Sequence, residues 1–256
     1  MQKEGWVNFA PLEAVTTPPA ARLVNFASVQ PGQRLLDVGC GTGVVAITAA
    51  RRGARVSAID LTPELLDRAR ENAATAGVHV EWHEGDAEKL PFEDGEFDVV
   101  LSQFAHIFAP RPEVVMAEML RVLKPGGTLA FSTWPPEDLV GRTMAVASRY
   151  SPPPPPGITP PTLWGSRDIV RQRLGSAVKD ITFDNQDMFS PALSPQHFRL
   201  GVERTAGPIV KLVERLSATN PDALHQFRRE FDGIVAEYLS DNIVRQAYLL
   251  TRAVKC

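Results

Sequence analysis

The segment Leu35-Leu36-Asp37-Val38-Gly39-Cys40-Gly41-Thr42-Gly43 decides the fold of this chain of 256 residues. Its first part, preceded by Arg34, has the apolar character of a buried β-strand, and glycines at alternate positions follow at once. Glycine at 39 and 41 lets the backbone turn sharply and approach a ligand closely, because no Cβ atom intrudes. A helical pattern follows over residues 44–52. We therefore expect a strand–turn–helix unit with a ligand at the carboxyl end of the strand.

The alternation of strand and helix continues along the chain. Strands are predicted at residues 34–38, 55–59, 78–83, 97–102 and 128–132, and helices at residues 44–52, 62–76 and 113–123. This pattern predicts a doubly wound α/β fold with a parallel sheet and right-handed crossovers. Two further strands are predicted at residues 178–184 and 244–254, and the region between them, from 195 to 240, is mostly helical.

Two carboxylates follow the second and third predicted strands. Asp60 ends the second strand, where it can accept from both hydroxyls of a ribose, and Asp86 follows the third, where it can accept from an adenine amine. Leu61 and Phe92 offer apolar contacts to the ring. Taken alone, Asp60 fits an N-cap or loop residue, Asp86 fits a turn residue, and a glycine pattern is a weak signal. Their occurrence together at successive strand ends favours an adenosine-containing ligand.

These segments resemble the class I S-adenosylmethionine-dependent methyltransferase family, and specifically its ubiquinone-biosynthesis-like branch (methyltransferase type 11). Residues 37–43 are similar to the family's first motif, Asp60 falls on its ribose-binding acid, and residues 85–92 resemble its adenine-binding motif. Residues 97–100 and 121–127 match the following strand and turn. The resemblance is specific over residues 20–134; beyond them it is only topological.

The resemblance implies a Rossmann-like sheet of seven strands, the last of which inserts antiparallel. It implies S-adenosylmethionine as cofactor and S-adenosylhomocysteine as product. The residues expected to bind the cofactor are Asp37, Gly39, Cys40, Gly41, Asp60, Leu61, Asp86, Ala87, Ser102 and Gln103. We expect residues 1–134 to form the N-terminal helices and the cofactor-binding half of a single domain. Residues 135–256 should supply the remaining strands, with a helical cap inserted at residues 190–240.

The segment after the fourth strand should face the methyl acceptor. His106 is the candidate general base, and a packing or loop histidine is the alternative. The predicted acceptor pocket consists of Phe104, His106, Phe108 and Trp134. His197 and His225 fall in the predicted cap, where neighbouring aromatic residues such as Phe198 and Phe231 favour core packing.

The predicted function is methyl transfer to a small, partly apolar molecule by direct in-line displacement. A nicotinamide or flavin dinucleotide protein is the first alternative, because Gly41-x-Gly43-x-x-Ala46 formally matches G-x-G-x-x-G/A. That frame starts late relative to the strand and leaves Asp86 and the Lys124-Pro125-Gly126-Gly127 turn unexplained. A protein that binds S-adenosylmethionine without catalysis, as a regulator, is the second alternative.

Composition narrows the choice of partners and of compartment. The formal net charge is −3, so the basic surface typical of nucleic-acid binders is not expected. The two cysteines, Cys40 and Cys256, predict neither a disulfide framework nor a metal site. Neither a signal peptide nor a membrane-spanning run is apparent, which predicts a cytoplasmic protein, as a monomer or homodimer. The proline-rich stretch 152–156 predicts a stiff connector.

Overall fold

A computed structural model describes residues 6–153 and 160–256 of the chain. The helices are α1 (Glu13–Phe26), α2 (Val44–Arg51), α3 (Pro63–Ala76), α4 (Pro112–Val122), α5 (Leu139–Arg149), α6 (Arg167–Leu174), α7 (Pro195–Thr205), α8 (Gly207–Thr219) and α9 (Pro221–Ala236). The strands are β1 (Arg34–Val38), β2 (Arg55–Asp60), β3 (Glu81–Glu84), β4 (Phe97–Gln103), β5 (Leu123–Thr133), β6 (Val178–Pro191), β7 (Leu239–Ser240) and β8 (Ile243–Lys255). Residues 154–156 of the predicted proline connector lie outside the described residues, as does the start of the chain, 1–5.

The sheet has the strand order β3-β2-β1-β4-β5-β8-β6. Strands β1 to β5 pair in parallel, and β8 lies antiparallel between β5 and β6. This confirms the predicted α/β architecture with an antiparallel last strand. The described sheet contains one strand more than the expected seven, because the two residues of β7 also pair with β8.

Some boundaries differ from those that the sequence predicts. Strand β3 begins at Glu81 instead of residue 78, and β6 continues to Pro191 instead of ending at residue 184. The extra length of β6 is held by unbroken antiparallel pairing with β8 from Thr182 to Pro191. The alternation of exposure along β6 is irregular, so its periodicity did not reveal this length. The predicted division of the domain at residue 134 stays a prediction.

The central strands β1 and β4 are buried on both faces. Leu35, Leu36 and Val38 of β1 and Val100 and Leu101 of β4 are completely inaccessible to solvent. Such continuous apolar runs are typical of parallel strands that helices cover on both sides. Helix α1 packs against α2 and several strands, and α4 packs against β5 and α6. The sheet therefore supplies a rigid edge at the carboxyl ends of β1, β2 and β4.

Helices α7, α8 and α9 follow β6 in the chain, before β7 and β8, and form a cap. With α5 they enclose a second apolar core that includes Leu139, Leu212 and Phe227. A buried ion cluster joins α7 to α9: Arg199 donates to Glu203 at 2.7 Å and to Asp232 at 2.8 Å. Loss of one partner of such a buried pair costs about 3–5 kcal/mol, so this cluster fixes α7 relative to α9. Among the described residues, no helix is long and apolar enough to cross a bilayer.

We predict opposite stability changes for two glycine-to-alanine substitutions. A Cβ at Gly165 would lie 1.9 Å from the carbonyl oxygen of Trp134, whereas a Cβ at Gly233, on the exposed side of α9, meets nothing within 4 Å. Gly165→Ala should lower the free energy of unfolding by about 1–3 kcal/mol through overpacking. Gly233→Ala should raise it by up to about 1 kcal/mol, because alanine favours helix. Urea denaturation measures both, and equal effects would contradict the packing described at Gly165.

Candidate active site

The glycine turn after β1 folds over the end of β2. The amides of Gly39 and Cys40 both donate to the carbonyl oxygen of Ile59, at 2.8 and 3.0 Å. Gly39 and Gly41 have φ values of +70° and +52°, a region that favours glycine. A Cβ at Gly39 would lie 2.3 Å from the Cβ of Ala105. The turn is therefore packed against the segment after β4, and its bare backbone at 39 and 41 lines a cavity.

The carboxylate of Asp60 links this turn to the start of α3. One oxygen accepts from the Gly41 amide at 2.8 Å and the other from the Thr62 amide at 2.9 Å. Burial raises the pKa of Asp60, and the bonds from Gly41 and Thr62 oppose that rise. Asp60 also lines the cavity. Since a carboxylate offers about four lone-pair sites, Asp60 can accept from ligand hydroxyls while it holds the turn.

Asp86 lies beside Asp60 in the loop after β3. The Gly85 amide donates to the carbonyl oxygen of Asp60 at 2.9 Å, which links the two strand ends. The Asp86 carboxylate accepts from the Glu88 amide at 3.0 Å, and its side chain is exposed. Asp86 lines the cavity together with Leu61 and Ala87. These residues combine an acceptor with apolar surface, which suits a heterocyclic ring that carries an amine.

Three predicted cofactor residues do not line the cavity: Asp37, Cys40 and Ser102. Asp37 accepts from the amide of Ala46 at 3.0 Å and so ties β1 to α2. Burial raises its pKa to about 7, with a smaller contribution from the charge of Asp60. Ser102 donates to the Val38 carbonyl at 2.8 Å, and the Cys40 thiol is buried. The structure thus places these three behind the turn, where they support its backbone.

Gln103, the last residue of β4, lines the cavity and has an unused acceptor. Its Nε2 donates to the carbonyl oxygen of Thr16 at 2.9 Å, which joins α1 to the site. Its Oε1 is buried and has no partner among the described residues. A buried acceptor without a partner is destabilising by roughly 1–3 kcal/mol. A ligand that brings an N–H or O–H group would satisfy it.

One cavity of about 730 Å³ connects these groups with the cap. This volume lies within the range of about 300–1,000 Å³ that is typical of small-molecule sites. The glycine turn, Asp60 and Asp86 form one end. Helix α5, the cap and the ends of β6 and β8 form the other, which is mainly apolar. At that end the lining includes Trp134, Leu139, Val140, Met144, Met188, Phe198, Val202, Ile209 and Phe231.

Aromatic residues lie at the junction of the two ends. Phe104 stacks on Trp134 with ring centroids 4.0 Å apart and an interplanar angle of 9°. Phe108 contacts Trp6, which covers the cavity from the N-terminal side. Phe104 has a φ of +56°, which is rare for an aromatic residue, and such strain clusters at functional sites. All four residues predicted for the acceptor pocket, His106 included, line the cavity.

His106 lies in a short 3-10 turn beneath this junction. Its backbone amide donates to Ser102 Oγ at 3.2 Å, and its ring packs edge-on against Phe131 and Trp164. Neither ring nitrogen has a partner among the described residues. Burial, aided by the charge of Arg173, lowers the pKa of His106 to about 3. The imidazole is therefore neutral at physiological pH and offers one lone pair and one N–H.

The sequence did not reveal most of the cap side of the cavity. Phe198 and Phe231, for which the sequence favours core packing, line the cavity, and so do Ser190 and Gln246. His197 instead accepts from the Leu193 amide at 3.0 Å outside the cavity lining. No spacing signal could have marked Ser190 or Gln246, because each is a single polar residue on a long strand. Within the described ranges, no group of three His, Cys, Asp or Glu residues could hold a metal ion.

Comparison with known proteins places the glycine turn in a known domain. A family model described as a methyltransferase domain matches residues 36–131. An uncharacterised protein of Mycobacterium tuberculosis is 36% identical over 245 residues, which are 95% of this chain and 89% of that protein. The malonyl-[acyl-carrier protein] O-methyltransferase of Serratia marcescens is 38% identical over 112 residues, 44% of this chain and 42% of that enzyme.

The fold also matches solved structures. A Bacillus halodurans protein described as a candidate methyltransferase superposes with a TM-score of 0.63 over 93% of this chain and 99% of that chain. The two sequences are 22% identical, so this similarity is one of fold.

We predict a pH-dependent difference between the wild type and Asp37→Asn. The pKa of Asp37 is about 7 in the folded chain and 3.8 ordinarily. The folded state therefore keeps a proton that the unfolded state loses, and the stability that Asp37 contributes falls as the pH rises between these two values. Asparagine can still accept from Ala46 but carries no charge. The free energy of unfolding of Asp37→Asn minus that of the wild type should increase up to about pH 7 and then level off.

Urea denaturation at a series of pH values measures this difference. A difference that stays constant across the range would mean that the carboxyl of Asp37 is not buried as described.

Proposed function

Since this chain belongs to the class I S-adenosylmethionine-dependent methyltransferase family, we propose that it transfers a methyl group from S-adenosylmethionine to a small, partly apolar molecule. The observation that carries the proposal is the continuous cavity, which joins the glycine turn and Asp60 to an apolar space under the cap. A macromolecular acceptor fits this enclosed space poorly, and the net charge of −3 argues against nucleic acid. We propose a monomer or homodimer in the cytoplasm.

The residues at the glycine end fit this cofactor chemically. Asp60 supplies lone pairs for the two ribose hydroxyls, and Asp86 supplies an acceptor for the adenine amine. Leu61 and Ala87 contact the ring faces. The unpaired Oε1 of Gln103 suits the ammonium of the methionine portion, because a positive donor gives a stronger hydrogen bond than a neutral one. At Gly41 a Cβ would meet nothing within 4 Å, so the backbone there is open to the cavity, whereas Gly39 is packed against Ala105.

The contribution of the protein to the reaction is mainly positional. When bound, S-adenosylmethionine would supply a methyl carbon on a sulfonium: an acceptor atom would bond to this carbon in line as the carbon–sulfur bond breaks, and S-adenosylhomocysteine would leave. Phe104, Trp134 and Phe108 hold the acceptor beside the glycine turn and exclude water. Orientation of two reactants can lower a barrier by roughly 7–11 kcal/mol. Removal of water leaves the attacking atom poorly solvated, which adds to this effect.

His106 is proposed to accept a hydrogen bond from the acceptor. A strong general base should have a pKa near the working pH, and the pKa of about 3 does not meet that requirement. The neutral ring can still orient a hydroxyl or amine through its free nitrogen. We therefore propose that His106 orients the attacking group, and that the proton of this group passes to bulk water when the methyl group has been transferred. Repeated release of S-adenosylhomocysteine with any acceptor would exclude a purely regulatory protein.

We predict that Asp60→Ala weakens the binding of S-adenosylhomocysteine by at least about tenfold. The variant loses the ribose acceptor and also releases the Gly41 amide, and each hydrogen bond to a charged group contributes roughly 1.5–3 kcal/mol. Isothermal titration calorimetry measures the change in Kd.

The matched control for Asp60→Ala is Asp98→Ala at the opposite, amino end of the sheet. Asp98 accepts from the Arg34 amide at 2.8 Å and pairs with Lys124 at 2.6 Å, and it does not line the cavity. Its removal should lower stability but leave the Kd unchanged. Equal loss of affinity in both variants, or none in Asp60→Ala, would refute the ribose assignment.

We predict that His106→Phe lowers kcat by at least about tenfold, the order of one lost hydrogen bond, and leaves S-adenosylhomocysteine binding intact. Because the pKa of His106 is near 3, the wild-type kcat should show no histidine ionisation at neutral pH. Steady-state kinetics with the first acceptor that a methyl-transfer screen identifies measure both. His83→Phe is the control, since the Nε2 of His83 also has no partner within the described part of the chain, but His83 lies outside the cavity lining. An unchanged kcat in His106→Phe would assign His106 to packing.

A further inference from the structure

The last residues of β6 and the first residues of β8 extend beyond the carboxyl end of β5, on the side of the cavity. The last residue of β5, Thr133, pairs with Leu249, and β8 runs antiparallel to β5. Gln246, three residues earlier on β8, therefore lies past the carboxyl end of β5, by about 10 Å at roughly 3.4 Å per residue. Strand β6 follows β8 to this point, with Met188 directly opposite Gln246. The two strands thus form a wall of the acceptor end.

This wall carries a polar pair. The Nε2 of Gln246 donates to the hydroxyl oxygen of Ser190 at 2.6 Å. Both side chains are buried, with 6% and 8% of their surface exposed, and both line the cavity. This is their one side-chain hydrogen bond among the described residues. After this bond Ser190 keeps its hydroxyl proton, and Gln246 keeps its amide oxygen and its second N–H. The pair therefore retains two donors and the amide oxygen as an acceptor for a ligand.

Two other hydroxyls that line the cavity, those of Thr143 and Ser148, are already used. Thr143 donates to the carbonyl oxygens of Leu139 and Val140 in its own helix, at 2.9 and 3.0 Å. Ser148 likewise donates to the carbonyl oxygen of Ala145 at 2.8 Å. Ser190 differs from both because its bond with Gln246 uses an oxygen lone pair and leaves the proton available.

The acceptor end has almost no ionisable groups. Among the described residues that line the cavity, the ionisable ones are Asp60 and Asp86 at the glycine turn, and His106. An ion transferred into a space without a partner for its charge loses much more hydration energy than it regains. An uncharged molecule with one hydrogen-bonding group can bind here, because the Ser190–Gln246 pair can form a hydrogen bond with that group.

We propose that the methyl acceptor is an uncharged, largely apolar molecule, and that Ser190 and Gln246 recognise a polar group on it about 10 Å beyond the end of β5. This rests on the proposed function, because it assigns the acceptor of that same cavity. The polar pair determines specificity and lies on β6 and β8, whereas Phe104 and His106 belong to the segment after β4. An acceptor of this class should carry a hydroxyl, carbonyl or amide at a distance from the atom that is methylated.

Binding of matched naphthalene probes to the protein saturated with S-adenosylhomocysteine tests the proposal. The probe 2-naphthol carries a neutral hydroxyl, and 2-methylnaphthalene has the same shape without a hydrogen bond. We expect the affinity for 2-naphthol relative to that for 2-methylnaphthalene, measured as the ratio of their Kd values, to fall by about tenfold in Ser190→Ala and in Gln246→Met. Thr143→Val is the matched control, because its hydroxyl is already bound to its helix, and it should keep the wild-type ratio. An unshifted ratio in Ser190→Ala, the smaller change, would overturn the proposal even if Gln246→Met fails to fold.

Charged probes test the other part of the proposal. In the wild type, 2-naphthoate and 2-naphthylmethylammonium should each bind at least about tenfold more weakly than 2-naphthol. Equal or tighter binding of either ion would overturn the assignment of an uncharged acceptor. Failure of S-adenosylhomocysteine to bind the wild type would refute the proposed function instead, and the probe ratios measured without it would still decide the role of the polar pair.

Discussion

The site depends on the bonds that the Asp60 carboxylate accepts from the amides of Gly41 and Thr62. These bonds join the glycine turn after β1 to the start of α3, and they fix both at the carboxyl ends of neighbouring strands. A carboxylate is normally costly to bury, and burial does raise the pKa of Asp60. The two amides offset part of that cost. This arrangement determines the shape of the cavity, because the turn packs directly against Ala105 in the segment after β4.

The half of the molecule around this carboxylate could be predicted from the sequence because its signals are local. Gly39 and Gly41 have the positive φ values that the turn requires, and Gly77 ends α3 in the same region. The runs at 34–38 and 97–102 are buried strands, as their apolar character indicates. The sequence could not separate Asp60, which lines the cavity, from Asp37, which lies behind the turn. Both are aspartates near strand ends, and only packing distinguishes them.

The acceptor side could not be predicted because it is built by long-range pairing. The register of β6 against β8 brings Ser190 and Gln246 together across 56 positions of sequence. The length of β6 beyond residue 184 follows from that pairing and not from its own periodicity. Phe198 and Phe231 are core-like in sequence yet face the cavity, because the cap encloses a space as well as a core. Substrate choice therefore resides where local patterns are least informative.

The most direct test of this account is thermal unfolding with S-adenosylmethionine, S-adenosylhomocysteine or NAD. A ligand at a hundred times its Kd adds about 2.7 kcal/mol to the stability of the folded state. For a chain of this size each kcal/mol corresponds to roughly 2–4 °C in Tm. We predict a clear rise in Tm with the two S-adenosyl compounds and none with NAD. A rise with NAD alone would contradict it, because the glycine turn and Asp60 would then serve a dinucleotide.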